Sequence, residues 1–300
     1  MGVNSFESSD LNLQFAANDA RVTQELLTQK LVQTKQYDEV VQIPLISDAK
    51  EKSATKANFK AVLDLLSGKE VEPGLLKVIP AGDQIKEAHP EDLVVISFSS
   101  HGYTDAAGTF YLFPADTGPR VKGRLTEQRL ISSDELSMWL KDVDAGEMVM
   151  IVDACHAAAA IEGSEFKPGP MGSRGLGQLS YDKGMRILTA TQAANVAIEV
   201  GGSIGHGLLT YALVKEGLEQ DAADFKPRDQ AIHLKEWLEY GVDRVPSLYD
   251  EILTGRLRGI NRAELVGSAS GRRGYQQQPS LFDFSRKDRK VVLTRIPGRP

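Results

Sequence analysis

Apolar and polar positions along the chain fall into two recurrent patterns. Short, nearly continuous apolar runs at 92–98 and 147–152 read as strands buried on both faces, as in a parallel sheet. Weaker runs at 40–46, 186–190 and 290–294 are further strand candidates, with Pro44 weakening the end of the first. Between them lie helical spacings. Phe59, Val62, Leu63 and Leu66 mark one apolar face, and Leu234, Leu238, Val242 and Val245 another that ends before Pro246. Residues 18–33, with Val22, Leu26 and Leu27, predict a third helix. Ser133-Asp134-Glu135 opens a fourth before Leu136 and Leu140. Glycine, proline and polar residues dominate 102–123 and 162–184, which read as loops. Strand and helix alternate, so the expected class is α/β, a three-layer sandwich with helices on both faces of a mostly parallel sheet.

Composition narrows the classes of function. The chain has 300 residues, a net charge of −6 and one cysteine. The acidic balance excludes an ordinary nucleic-acid binder, which would carry a basic surplus. One cysteine excludes an internal disulfide framework and a multi-cysteine metal site. No apolar run reaches the roughly 20 residues of a membrane helix, and no secretory leader opens the chain. A reducing cytoplasm is therefore the expected setting, with neither nucleic acid nor membrane as partner.

The two strongest strands each run into polar residues that carry chemistry. The first leads to Ser99-Ser100-His101-Gly102 and the second to Asp153-Ala154-Cys155-His156. Ligands of parallel α/β sheets bind at the carboxyl ends of the strands, so His101 and Cys155 share one rim if these strands are neighbours. A thiol has a pKa of about 8.5, lowered beside an imidazole or a helix N-terminus, and the alanine-rich 156–161 predicts such a helix. His101 would protonate the leaving amine. The amides of Gly102 and Cys155 would hold a developing oxyanion. His156 is a competing histidine, but it adjoins Cys155 on one element. The plain alternative is a small buried Cys, which more often sits inside an apolar run than at its end.

These motifs resemble the caspase-like cysteine peptidases, and among them the metacaspase and bacterial orthocaspase branch. The resemblance is carried by Gly2-Val3-Asn4 with Asn18-Asp19-Ala20, by the two strand-end motifs, and by 205–213, Gly-His-Gly-Leu-Leu-Thr-Tyr-Ala-Leu. The 54 residues from His101 to Cys155 match the roughly 50 of that family. It implies a six-stranded caspase-like sheet, with Cys155 as nucleophile and His101 as acid/base. It implies a peptidase domain over 1–270, made of a large-subunit-like 1–165, an activation-loop-like 162–184 and a small-subunit-like 185–270. A C-terminal extension, 271–300, would complete it. Lys167, Arg174 and Lys183 become candidate self-cleavage sites. Residues 1–4 stand where the family's first strand would finish, so a truncated strand and a preceding sensor or repeat region are expected.

In this branch two acids and a serine hold a basic substrate side chain. Asp19, Asp153 and Ser99 match them, which implies a protein or peptide substrate with Arg or Lys before the scissile bond. Two carboxylates suit a guanidinium through charge-assisted hydrogen bonds. The plain alternative for Asp19 is an acid favoured by a helix N-terminus. Ala157-Ala158 replaces the family's usual Ser-Gly, and Ala16 stands where some relatives carry a second Cys. No cofactor is expected. Calcium is a secondary expectation at Asp116, Asp134 and Glu162, a set thin for an ion that takes six to eight oxygens. The alternatives to an endopeptidase are an inactive caspase-like scaffold or binding module, which needs neither the His101–Cys155 pair nor the acids, and a different α/β hydrolase or a Cys-based transferase. The second is disfavoured by the lack of a Gly-x-Ser-x-Gly elbow.

Overall fold

The computed structural model describes residues 1–105, 107–119, 125–156, 174–190, 199–200, 205–257, 265–266, 277–286 and 290–296, with the backbone alone at 155–156, 199–200 and 265–266. The strands are β1 (Gly2–Val3), β2 (Ile46–Ser47), β3 (Leu93–Thr104), β4 (Phe110–Leu112), β5 (Ile131–Ser132), β6 (Glu147–His156) and β7 (Arg186–Thr189). They continue with β8 (Glu199–Val200), β9 (His206–Gly207), β10 (Ala231–His233), β11 (Leu265–Val266), β12 (Ser280–Asp283) and β13 (Val292–Arg295). The helices are α1 (Ala16–Thr34), α2 (Lys56–Leu66), α3 (Pro73–Leu76), α4 (Ser133–Leu140), α5 (Arg174–Lys183), α6 (Leu208–Thr210) and α7 (Leu234–Leu253). A π-helix over Tyr211–Glu219 continues α6.

The main sheet runs β12-β7-β6-β3-β1-β2. Its first five strands in sequence, β1, β2, β3, β6 and β7, are mutually parallel where they pair, and β12 closes one edge antiparallel to β7. The short β4 and β5 extend from the far end of β3 as an antiparallel meander. Small sheets of β10 with β13, and of β8 with β9 and β11, lie outside it.

Period-two alternation explains why both faces are covered. On β6, Val149 and Ile151 join Leu188 of β7 in one core with Leu27 and Leu31 of α1, Leu213 of the π-helix, and Trp237, Leu248 and Tyr249 of α7. Met148, Met150 and Val152 join Ile96, Phe98 and Ile187 in the opposite core, with Phe59 and Leu63 of α2, Leu136 and Leu140 of α4, and Leu176 and Leu179 of α5. The result is the expected three-layer α/β sandwich around a mostly parallel sheet.

Several elements differ from the sequence expectation. Residues 40–45 form no strand, and only Ile46–Ser47 pairs, with β1. Helix α7 runs through Pro246 to Leu253. An interior proline costs about 3 kcal/mol, but Leu248, Tyr249 and Ile252 beyond it are fully buried, at roughly 1.5–3 kcal/mol each. The cap of α4 is Ser132, one residue earlier than expected, with Glu135 closing a reciprocal capping box. The expected loop 102–123 contains the end of β3 and all of β4.

The expected loop 162–184 also requires correction, because residues 174–183 form α5. Its glycines serve close packing. A Cβ on Gly175 would collide with Ser133 Oγ, and one on Gly177 would lie 3.3 Å from the Phe282 ring. Residues 162–173, with Glu162 and Lys167, lie outside the described residues.

Candidate active site

Ten register pairs join β3 to β6, from Leu93 opposite Glu147 to Gly102 opposite His156. His101 therefore stands opposite Cys155, and Ser99 opposite Asp153. These residues lie within the strands and not beyond them, because hydrogen bonding to β4 and β6 carries β3 past its apolar run to Thr104. His156 is likewise the last residue of β6 and not the start of a helix. The rest of the expected helix after Cys155 lies outside the described residues.

The backbone orients His101. Its Nε2 lies 2.8 Å from the carbonyl of Leu11, at the end of a short 3-10 turn after β1. Phe6 and Phe113 flank the ring, with centroids 5.5 and 5.8 Å away. That burial holds the imidazole below its ordinary pKa, so the neutral ring dominates at pH 7. A carbonyl only accepts, so Nε2 carries the proton and donates it to Leu11. Nδ1 is left with its lone pair, buried and without a hydrogen-bond partner among the described residues. Leu11 was invisible to sequence reasoning because it acts through its main chain.

Gly102 has a packing reason to be glycine. A Cβ there would lie 2.8 Å from the Phe110 ring and 3.2 Å from Ala154 Cβ.

The two candidate acids are held by one segment. Asp19, near the start of α1, is buried. Its Oδ1 lies 2.7 Å from His206 Nδ1, and its Oδ2 accepts the Gly207 N–H at 3.0 Å. Asp153 Oδ2 accepts from Thr210 twice, from the hydroxyl at 2.6 Å and the amide at 3.2 Å. Gly207 lies between the carboxylates, and a Cβ on it would come within 2.8 Å of Asp153 Oδ2. Ser99 is buried beside them by register. Alternation puts Asp153 on the same side of β6 as Val149 and Ile151, the side that α1 and α6 cover.

Burial and the like charge of Asp19 push the Asp153 carboxyl up to about 7. Burial also raises Asp19, against the opposing effect of its bonds to His206 and Gly207. Asp19, Ser99 and Asp153 are thus brought together. His206, Gly207 and Thr210 belong to the 205–213 motif, yet sequence reasoning gave them no role. The available signal was a histidine between two glycines directly before an apolar helix.

Other expected residues do not join this group. Asp116 accepts the amide of Lys56, the first residue of α2, at 2.9 Å, and Asp134 is an exposed first-turn acid of α4. Among the described residues no group of three or more His, Cys, Asp or Glu side chains could hold a metal ion. Lys183, at the end of α5, donates to the carbonyls of Lys141 and Val143, and Arg174 is the first residue of the same helix. Among the described residues no helix is long and apolar enough to cross a membrane.

A family model described as caspase domain, of peptidase family C14, matches residues 1–257. No curated protein matches the chain by sequence comparison.

Proposed function

As the chain belongs to the caspase domain family of cysteine peptidases, we propose that it is an endopeptidase of the metacaspase-like branch that cleaves after Arg or Lys with Cys155 and His101. The observation that carries this reading is the register of His101 with Cys155, together with the one unpartnered ring nitrogen of His101.

The chemistry follows from those positions. The His101 Nδ1 lone pair accepts the Cys155 proton, and the thiolate sulfur attacks the scissile carbonyl carbon. A C–S bond forms, and the oxygen takes the charge in front of the Gly102 and Cys155 amides. The imidazolium gives the same proton to the departing amine as the C–N bond breaks. Water, deprotonated by His101, then attacks the thioester and releases the acid product and the thiol. The Leu11 carbonyl and the Phe6 and Phe113 rings keep the imidazole in the tautomer and orientation these steps require.

Specificity rests on Asp19 and Asp153, with Ser99 opposite Asp153 in the register. A guanidinium or ammonium supplies the positive charge that two neighbouring carboxylates lack, whereas an aspartate side chain would add further negative charge. A lone thiol fits a reducing compartment, so action in the cytoplasm is part of the proposal. Activation by self-cleavage at Lys167, Arg174 or Lys183 is part of the proposal; of these, Arg174 opens α5 and Lys183 ends it.

The test uses the purified full chain and peptide reporters with Arg, Lys or Asp before the scissile bond. We expect turnover of the first two and none of the third, with loss of all turnover in Cys155→Ala and His101→Ala. Activity that survives Cys155→Ala overturns the nucleophile, and equal turnover of Asp and Arg reporters overturns the pocket.

A further inference from the structure

We propose that His206 is a positioning residue for the acid pair: through its bond to Asp19 it makes Asp19 the standing anion of the pocket and leaves Asp153 to carry the proton that an arriving basic side chain displaces. This rests on the reading that the two acids receive such a side chain.

The argument begins with the donors on each carboxylate. Both oxygens of Asp19 are engaged, one by His206 Nδ1 at 2.7 Å and one by the Gly207 amide at 3.0 Å. Two donors on two oxygens favour the ionised form. On Asp153 the described bonds converge on Oδ2, both from Thr210. The two acids are close enough that each penalises charge on the other, so the pair holds one proton across a range of pH. Each acid has two donors, but those described on Asp153 share Oδ2 while those on Asp19 hold both oxygens, so the proton is assigned to Asp153.

The ring of His206 suits this task. Nδ1 has two neighbours, Asp19 Oδ1 at 2.7 Å and Asn18 Nδ2 at 3.3 Å. Asn18 Nδ2 is itself a donor and has the Gly205 carbonyl at 3.2 Å as an acceptor. Nδ1 therefore presents its hydrogen to the carboxylate, in the neutral Nδ1–H tautomer and in the imidazolium alike. Among the described residues the ionisable group bonded to the pair, Asp19 of α1 and Asp153 of β6, is His206 from β9. Ser99 of β3 and Thr210 of α6 complete the wall with hydroxyls. When a guanidinium enters, its charge replaces the proton on Asp153, and that proton leaves to water.

The test compares His206→Leu, which removes the donor, with His206→Asn, whose amide stands in for Nδ1–H. The first readout is a carbon-13 carboxylate titration of Asp19 and Asp153 in the full chain, followed by NMR. We expect Asp153 to titrate well above Asp19 in the parent chain and in His206→Asn. In His206→Leu, Asp19 should move up and the two titrations should converge. An Asp19 titration that His206→Leu leaves in place overturns the proposal, whether or not any reporter is cut. The second readout is the pH profile of Arg-reporter hydrolysis. Loss of a hydrogen bond to a charged group predicts a KM at pH 7 raised roughly tenfold to a hundredfold in His206→Leu. That loss should fall on KM and not on kcat, and His206→Asn should restore most of it. A parent chain that cuts no basic reporter defeats the pocket reading alone, because the titration still decides the role of His206. Thermal unfolding of each variant identifies a folding defect, and a His206→Asn chain that folds but titrates like His206→Leu also overturns the proposal.

Discussion

Replacing Asp153 by Asn should stabilise the protein at neutral pH while weakening its action on basic substrates. The carboxyl has an ordinary pKa of 3.8 and is held at about 7 in the fold. Below pH 3.8 it is protonated in both folded and unfolded chains and costs nothing. Between 3.8 and 7 the unfolded chain releases the proton and the folded one retains it, so stability falls as pH rises through this window. Each pH unit is worth about 1.4 kcal/mol, so the full loss approaches about 4 kcal/mol by pH 7.5. Asn cannot titrate, can still accept from Thr210 through its amide oxygen, and takes a like charge away from Asp19. Urea unfolding of both chains at pH 4.5, 6 and 7.5 measures the difference, since every titration but that of the neighbouring Asp19 is shared. The gap in favour of Asn should widen steadily with pH and reach about 2–4 kcal/mol. Parallel curves, or a gap that closes as pH rises, would refute the assignment of a strained carboxyl at 153. A residue whose removal improves stability and impairs turnover has been retained for function.

Other outcomes follow from the same geometry. Gly207→Ala should raise the KM for Arg reporters with little effect on kcat, because its Cβ would crowd Asp153 Oδ2 at 2.8 Å; steady-state kinetics on the two chains decide it. Trp237→Phe keeps most of the ring's burial but removes the Nε1 bond to the Leu213 carbonyl at 2.8 Å, and should cost about 1–3 kcal/mol in urea unfolding. Asn4→Ala should cost about 1–2 kcal/mol, since its Oδ1 accepts the Ala17 amide at 2.8 Å and caps α1 from the end of β1. Raising pH from 6 to 8 should lower the KM for Arg reporters as Asp153 ionises, and a flat KM profile would count against it.

The layered sheet and the pairing of His101 with Cys155 were legible in the sequence, because buried parallel strands announce themselves as unbroken apolar runs. What that signal does not mark is where a strand ends. Residues 99–104 are mostly polar, yet they remain in the ladder because β4 and β6 supply hydrogen bonds on both sides. Glycine misled in the opposite direction at 174–183, where Gly175 and Gly177 let a helix approach Ser133 and Phe282 closely. In the site, side chains of the expected types could be named, whereas the Leu11 carbonyl and the Gly207 amide could not. Main-chain groups exist at every position, and only the fold selects among them. His206 could be seen in its motif, but its partner stands 187 residues earlier.

The acid pair has a consequence for the order in which this protein is made. Asp19 and Asp153 are made before Gly207 and Thr210, which satisfy them. Thr210 follows Asp153 by 57 residues, which is roughly 3–11 s of synthesis. During that interval β3 and β6, which carry His101 and Cys155, have already been made, while the segment that partners both acids, and the later helices that cover this face of β6, have not. If the two acids receive a basic side chain, as proposed, a growing chain can complete that site only after residue 210 has been made.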